Sequence, residues 1–344
     1  MLAGPFPRNP HVIRCLFRLH LRAPSARGLP VRALIAALVR RGPTVLACGV
    51  GLGLLIPPLA NLARPLMPVT VFLFVLGTLL RVEPSAVRAV ARRPAVSLLL
   101  PAATMIACPV ALGIAARLAG MPDEWVVALV IAYCAPPSSG TSTIARMLSL
   151  DASVALVATL ASMAFVPLTA PLLTAWFSHD AAVSISPLSL ALRLALLIGS
   201  AEGVALLVRR LAGSRLDRYA TTIDAIVVVA LLVFALGTMA GMQQSIIDAP
   251  QRALSAIALA FAVNAGFQII AYGLTPGDVR TRLNVALIVA NRNVGLMWAA
   301  LGLAATPTMA LVFTCAQLPI YTLPRVVQHL LPRLEAQRLR RRAR

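Results

Sequence analysis

Two short polar stretches interrupt apolar sequence, and their residue types suggest chemistry. The first is Tyr133-Cys134-Ala135-Pro136-Pro137-Ser138-Ser139-Gly140-Thr141-Ser142-Thr143. Adjacent prolines followed by Ser and Gly cannot continue a regular helix, because donors are missing and the rings clash with the preceding turn. In hydrocarbon such a break survives only inside protein or beside a wet cavity. Its ends then present amide donors and carbonyl acceptors near the membrane centre. The plainer reading is a kink in a packing helix. The second stretch is Asn291-Arg292-Asn293-Val294-Gly295. An arginine in mid-span is costly and marks a site facing a cavity. Its planar guanidinium suits bidentate capture of a carboxylate or sulfonate. The competing reading makes Arg292 a structural pin that bonds carbonyls of broken helices.

Other polar residues inside apolar runs are softer signals. Asn264 and Gln268, one helical turn apart, could line the same site. Thr104, Ser162, Thr169, Thr314 and Gln317 read singly as helix–helix hydrogen bonds. Glu202 and Asp224 are expected near an interface, paired with the arginines of 209–218.

The elements that hold these residues must cross a membrane. The chain has 344 residues, 59% of them hydrophobic and only 12% charged, with a mean hydropathy of +0.86. Soluble domains carry about twice that charge. Apolar runs predict ten spans near 43–60, 65–80, 94–117, 125–146, 152–177, 187–208, 222–241, 252–273, 283–303 and 307–330. Gly49, Gly51 and Gly53 in the first should let helices pack closely. Short connections leave no room for a soluble domain.

All 31 basic residues are arginine, giving a formal net charge of +20. They concentrate in alternate connections: residues 1–42, Arg81 to Arg93, Arg146, Arg209 to Arg218, Arg280 with Arg282, and the C-terminal end. That alternation is the positive-inside pattern and predicts cytoplasmic termini in a bacterial inner membrane. It also makes nucleic acid an unneeded partner. Five scattered cysteines show neither zinc nor disulfide spacing. The four histidines (His11, His20, His179, His329) lie far from Ser138–Thr143 in depth, which argues against an intramembrane protease, and no cofactor is expected.

Ten spans divide at Ser178-His179-Asp180 into halves of five, which an odd number makes opposite in orientation. The expected organisation is a basic arm (1–42), a first repeat (43–178), a second repeat (187–330) and an arginine-rich tail (331–344). The two breaks then occupy the fourth span of each half, as inverted repeats require.

At these motifs the chain resembles the bile acid:sodium symporter family, over most of 43–330. The resemblance rests on the break in span 4, on Asn293, Gly295 and Leu296 in span 9, and on Ser153-Val154-Ala155-Leu156 opening span 5. It implies a core of spans 3–5 and 8–10, in which spans 4 and 9 cross. It also implies a panel of spans 1, 2, 6 and 7, and transport by rocking of one against the other. The family's sodium-site positions align with Thr104, Thr143, Ile144, Ile288 and Arg292, so the carboxylate is gone and a fixed cation has arrived. At about 6 Å and an effective dielectric near 20, that repulsion is roughly 3 kcal/mol, or about a hundredfold in affinity.

The expectation is therefore an all-α polytopic membrane protein with ten transmembrane helices in two inverted five-helix repeats. It is a secondary transporter of a small organic anion, working by alternating access as a monomer or weak oligomer among membrane lipids. Substrate contacts are expected from Arg292, Asn291, Asn293, Ser138, Ser139, Gly140, Thr141, Thr143, Asn264 and Gln268. Sodium coupling is not expected through the aligned positions. A symporter using displaced sodium ligands is the second reading, and a proton is the other candidate coupling ion.

Overall fold

The computed structural model describes residues 42–82, 84–178, 185–213 and 215–342. The basic arm, apart from Gly42, and the polar loop at 179–184 lie outside them. The regular structure of the described residues is helical except for one antiparallel bridge between Pro137 and Arg292. Seven helices are long and apolar enough to cross a membrane: Pro57–Leu80, Ala95–Leu118, Ala152–Ser178, Pro187–Ala212, Ala220–Asp248, Pro250–Leu274 and Pro307–Ala336. The protein is a polytopic membrane protein.

In chain order, α1 is Gly42–Leu55 and α2 is Pro57–Leu80. A short α3 (Pro84–Ala91) leads to α4 (Ala95–Leu118), which carries π-helical turns at Ala95–Leu99 and Ala103–Ala107. Next come α5 (Asp123–Cys134), α6 (Thr141–Met147), α7 (Ala152–Ser178) and α8 (Pro187–Ala212). They are followed by α9 (Ala220–Thr238), α10 (Met242–Asp248), α11 (Pro250–Leu274), α12 (Val279–Ala290), α13 (Val294–Leu301) and α14 (Pro307–Arg342).

Two expectations need correction. The first span does not run on to residue 60. Instead α1 stops at Leu55, and the prolines open α2 at its first positions, where a missing N–H costs nothing. Arg64, assigned to the connection, is consequently inside α2 and exposed. The last span and the arginine-rich tail share one helix, since α14 continues to Arg342 through Pro319, Pro324 and Pro332. Asp224 pairs not with the arginines of 209–218 but with Arg81, at 2.9 Å. Glu202 shares a cavity of about 250 Å³ with Arg209 between α2, α7 and α8.

The glycine reading of α1 holds at two of three positions. A Cβ on Gly49 would fall 2.5 Å from Leu232 Cδ1, and one on Gly53 only 2.9 Å from the Leu236 carbonyl oxygen. Gly51 has open space. On α2, Gly77 faces Val227, while Ala63 and Met67 press on Gly237. The order of these contacts makes α1 parallel and α2 antiparallel to α9, so the pair forms a hairpin around Ile56.

Arginines also finish helices that they do not belong to. The last carbonyls of a helix have no partner within it, and hydrocarbon offers no water to replace one. Arg209 Nη2 donates to the carbonyls of Leu79 (2.8 Å), Leu80 (3.2 Å) and Val82 at the end of α2. Arg193 donates to Leu301 O (2.9 Å) at the end of α13, and Arg117 to Phe177 O (3.2 Å) at the end of α7. Arg282 reaches Tyr272 O at 2.7 Å in the last turn of α11. A cation there also complements the negative end of the helix dipole. Arg209→Met is therefore expected to destabilise the protein by about 1–3 kcal/mol, because several carbonyls lose their donor at once. Thermal unfolding of the detergent-purified variant checks this.

One regularity concerns the order of elements. The same sequence separation carries Ala95 to Pro250 and Ala152 to Pro307, all four being helix starts. It also carries Asp123, which opens α5, to Asp278, which caps α12. It carries Pro137 to Arg292, the two residues of the bridge.

Candidate functional site

The site is built where two interrupted helices meet. Helix α5 ends at Cys134, and Ala135 turns extended (φ −62, ψ 143), the conformation that a following proline favours. Helix α12 ends at Ala290, with Asn291 extended (φ −86, ψ 105). Each break supplies what the other lacks. The Ser138 N–H donates to Asn291 O at 2.8 Å, and the Asn293 N–H donates to Pro136 O at 2.8 Å. This two-bond bridge centres on Pro137 and Arg292 and satisfies backbone groups in a part of the protein remote from solvent. The Pro-Pro sequence is more than a kink, because it frees the carbonyl and the amide that make the crossing.

Side chains seal the remaining ends. Asn293 Oδ1 accepts from Leu296 N at 3.2 Å and so caps α13, while its Nδ2 reaches Ser139 Oγ at 3.5 Å. Asn264, 3% exposed on α11, donates to the terminal Ala290 carbonyl at 3.0 Å and approaches Asn291 Oδ1 at 3.4 Å. Gln268 Nε2 holds Asn264 Oδ1 at 2.8 Å. The pair predicted on one helical face thus serves the α12 break in sequence. Replacing Asn264 with Leu would strand the Ala290 carbonyl, and we expect a loss of about 1–3 kcal/mol in thermal unfolding. The conservative Gln268→Leu should cost less, since only the orienting bond is removed.

Arg292 is the least satisfied group. It is 2% exposed, yet among the described residues its one hydrogen bond to an oxygen is a long one from Nη1 to Ala135 O at 3.5 Å. Nε and Nη2 have no partner. The guanidinium carbon lies 5.2 Å from the centroid of the Tyr133 ring, and the side chain neighbours the Cys108 thiol. No carboxylate pairs with it among the described residues. A pin that bonded carbonyls would show short, forked bonds, and one bond near the outer limit is poor anchorage. Two further donors at the crossing are orphaned: Asn291 Nδ2 and the Thr141 hydroxyl. Groups left in this state are suited to accept a negatively charged or oxygen-rich ligand.

The other expected residues divide. Ser138 Oγ accepts from Gly140 N at 3.3 Å, and Ser142 Oγ donates to Ser139 O at 3.4 Å, so this run organises its own turn. A Cβ on Gly140 would meet only Ser138 Oγ at 3.7 Å, so glycine is not demanded by space. Thr143 lies on α6, its side chain outside the described residues. Thr104 donates to Leu100 O and Pro101 O of its own helix, and its hydroxyl lies 3.5 Å from Ser162 Oγ. Ile144 and Ile288 are buried in the apolar core and contribute no ligand oxygen through their side chains.

Sequence reasoning did not anticipate the surroundings of Arg292 on the α4 side. Cys108 gave no spacing signal, and its proximity to Arg292 is a product of tertiary packing. The same holds for Phe267, which stacks on Tyr133 with centroids 4.9 Å apart. No protein-family pattern and no curated protein matches this sequence.

Proposed function

We propose that this chain is a secondary transporter of small organic anions, similar to the bile acid:sodium symporter family, in which Arg292 contacts the anion at the crossing of two broken helices. The observation that carries the reading is a 2% exposed guanidinium with two unpartnered nitrogens and no counter-ion among the described residues. A buried charge so poorly compensated is costly unless a ligand completes it.

In this reading the chain crosses the inner membrane ten times, with both termini cytoplasmic. To the seven long helices are added α1 and the broken pairs α5–α6 and α12–α13. The two five-helix halves are inverted repeats. The common separation that relates α4, α5 and α7 to α11, α12 and α14 supports this, as does a bridge that pairs equivalent positions antiparallel. The distribution of arginine supports the orientation. Rocking of α4–α7 and α11–α14 against α1, α2, α8 and α9 would expose the crossing alternately. The Arg193 bond to the end of α13 and the Thr314 bond to Thr238 O join these groups on one side of the membrane. The 250 Å³ cavity separates them toward the other.

The test is uptake of labelled small carboxylates and sulfonates by proteoliposomes, under imposed sodium, potassium or proton gradients. The reading predicts saturable uptake that Arg292→Gln abolishes and that does not require sodium. Uptake driven only by sodium would favour a symporter with displaced ligands. Retention of full uptake by Arg292→Gln would overturn the assignment.

A further inference from the structure

A cleft of about 870 Å³ runs between α4 and α11, floored by the junction before α7 and by the first turns of α12. At its deep end lie Ala107, Cys108, Ala111, Phe267 and Val289. Its walls are Leu99, Leu100, Ala103, Ile270 and Leu274, and Leu99, Ile270 and Leu274 are exposed in the protein. Its mouth is different. Arg93 and Arg280 stand there with Asp151 and Asp278, beside Ser149 and Thr281. Along α4 the lining extends from Leu99 to Ala111, about 18 Å at 1.5 Å per residue. One leaflet of hydrocarbon is about 15 Å thick. The cleft therefore has the length of an acyl chain, with charges of both signs at the depth where headgroups lie.

Asn284 adds an independent observation. It lines the cleft, is 3% exposed, and donates through Nδ2 to Asp151 O at 2.8 Å. That bond fixes the orientation of the amide, and its Oδ1 has no donor. The unmet need at this end is for a hydrogen-bond donor. Asp151 caps the start of α7, its Oδ1 accepting from Ser153 N and Val154 N, and Asp278 caps α12 by accepting from Thr281 N, so that both caps place carboxylates at the mouth.

We propose that this cleft is a binding site for a glycerophospholipid whose headgroup carries a donating ammonium. The phosphate would face Arg93 and the Nη2 of Arg280, whose Nε and Nη1 are held by Glu335 and the Ser149 carbonyl, and the ammonium would face Asp151 and Asn284. One acyl chain would lie between α4 and α11 and end beside Cys108, closing the flank of the crossing. A purely anionic headgroup meets the two aspartates unfavourably. A trimethylated ammonium offers charge but no N–H. This site does not depend on the transport reading.

The experiment is thermal unfolding of the full chain in detergent with added dioleoyl phosphatidylethanolamine, phosphatidylcholine or phosphatidylglycerol at equal mole fraction. A ligand that binds only the folded state raises Tm. Phosphatidylethanolamine should raise Tm by about 2 °C or more beyond the other two. The difference should vanish in Ala107→Trp, which fills the cleft from an exposed position, and shrink in Asn284→Leu. Leu168→Trp, on the exposed face of α7, should retain it. Equal shifts from all three lipids, no shift, or a selective shift that survives Ala107→Trp would overturn the proposal. Should Asn284→Leu fail to fold, the Ala107→Trp comparison decides alone.

Discussion

Arg292→Met should make the ligand-free protein more stable, by about 1–3 kcal/mol, while removing its response to organic anions. Replacing a buried, poorly paired charge by an apolar side chain of similar length removes a desolvation penalty and sacrifices little. What it sacrifices here is one 3.5 Å bond to Ala135 O, the weak contact with the Cys108 thiol and the stacking on Tyr133. The prediction separates the two readings of this arginine because they differ in sign. A residue that pins the broken helices loses stability when replaced, since carbonyls are then stranded. A residue held in readiness for a ligand gains it. Urea or thermal unfolding of the two proteins in the same detergent, without added carboxylates, gives the answer.

Gly295→Ala is expected to have the largest effect of any single-methyl addition at the crossing. A Cβ at Gly295 would sit 2.6 Å from Phe234 Cζ and 2.9 Å from Cε2. Phe234 is 2% exposed and lies edge-on to Phe74, with centroids 5.8 Å apart, so it has nowhere to retreat. Overpacking of this kind typically costs 1–3 kcal/mol. The strain falls between α13 and α9, where the transport reading puts the seam between moving groups. Transport should therefore fall more steeply than stability. Phe234→Leu in the same chain should recover much of the loss, and the double-mutant cycle measures the coupling. Additive effects of the two substitutions would show that the methyl is accommodated elsewhere.

How much of this could be read from sequence depends on which force sets each feature. The helices were legible wherever a continuous apolar run of span length was uninterrupted, as in α4, α7, α8 and α11. The boundary between α1 and α2 was not, because Pro57-Pro58 is compatible with both the middle of a kinked span and the start of a new one. The breaks at 135–140 and 291–293 were legible because prolines and clustered polar residues cannot be hidden in hydrocarbon. That the two breaks cross is what the family resemblance implies, but the antiparallel bridge and its register, Pro137 against Arg292, depend on packing. The trans-capping by Arg117, Arg193, Arg209 and Arg282 was invisible. Sequence puts Arg209 and Arg282 in connections and Arg117 and Arg193 at or inside the ends of spans, and only the fold shows which carbonyls lie within reach. The environment of Arg292 was half legible: its charge and flanking asparagines were plain, while Cys108 and Tyr133 reach it from helices distant in sequence.

The most direct test of the central claim is a comparison of Tm shifts for wild-type and Arg292→Met protein across a panel of small carboxylates and sulfonates, at matched ionic strength. An anion that completes the guanidinium binds only the folded state and must stabilise it. At a hundred times its Kd the gain is about 2.7 kcal/mol, several degrees in Tm. The account predicts that at least one organic anion raises the Tm of the wild type in a saturable way and leaves Arg292→Met unmoved. Identical shifts in both proteins, or none in either, would contradict it.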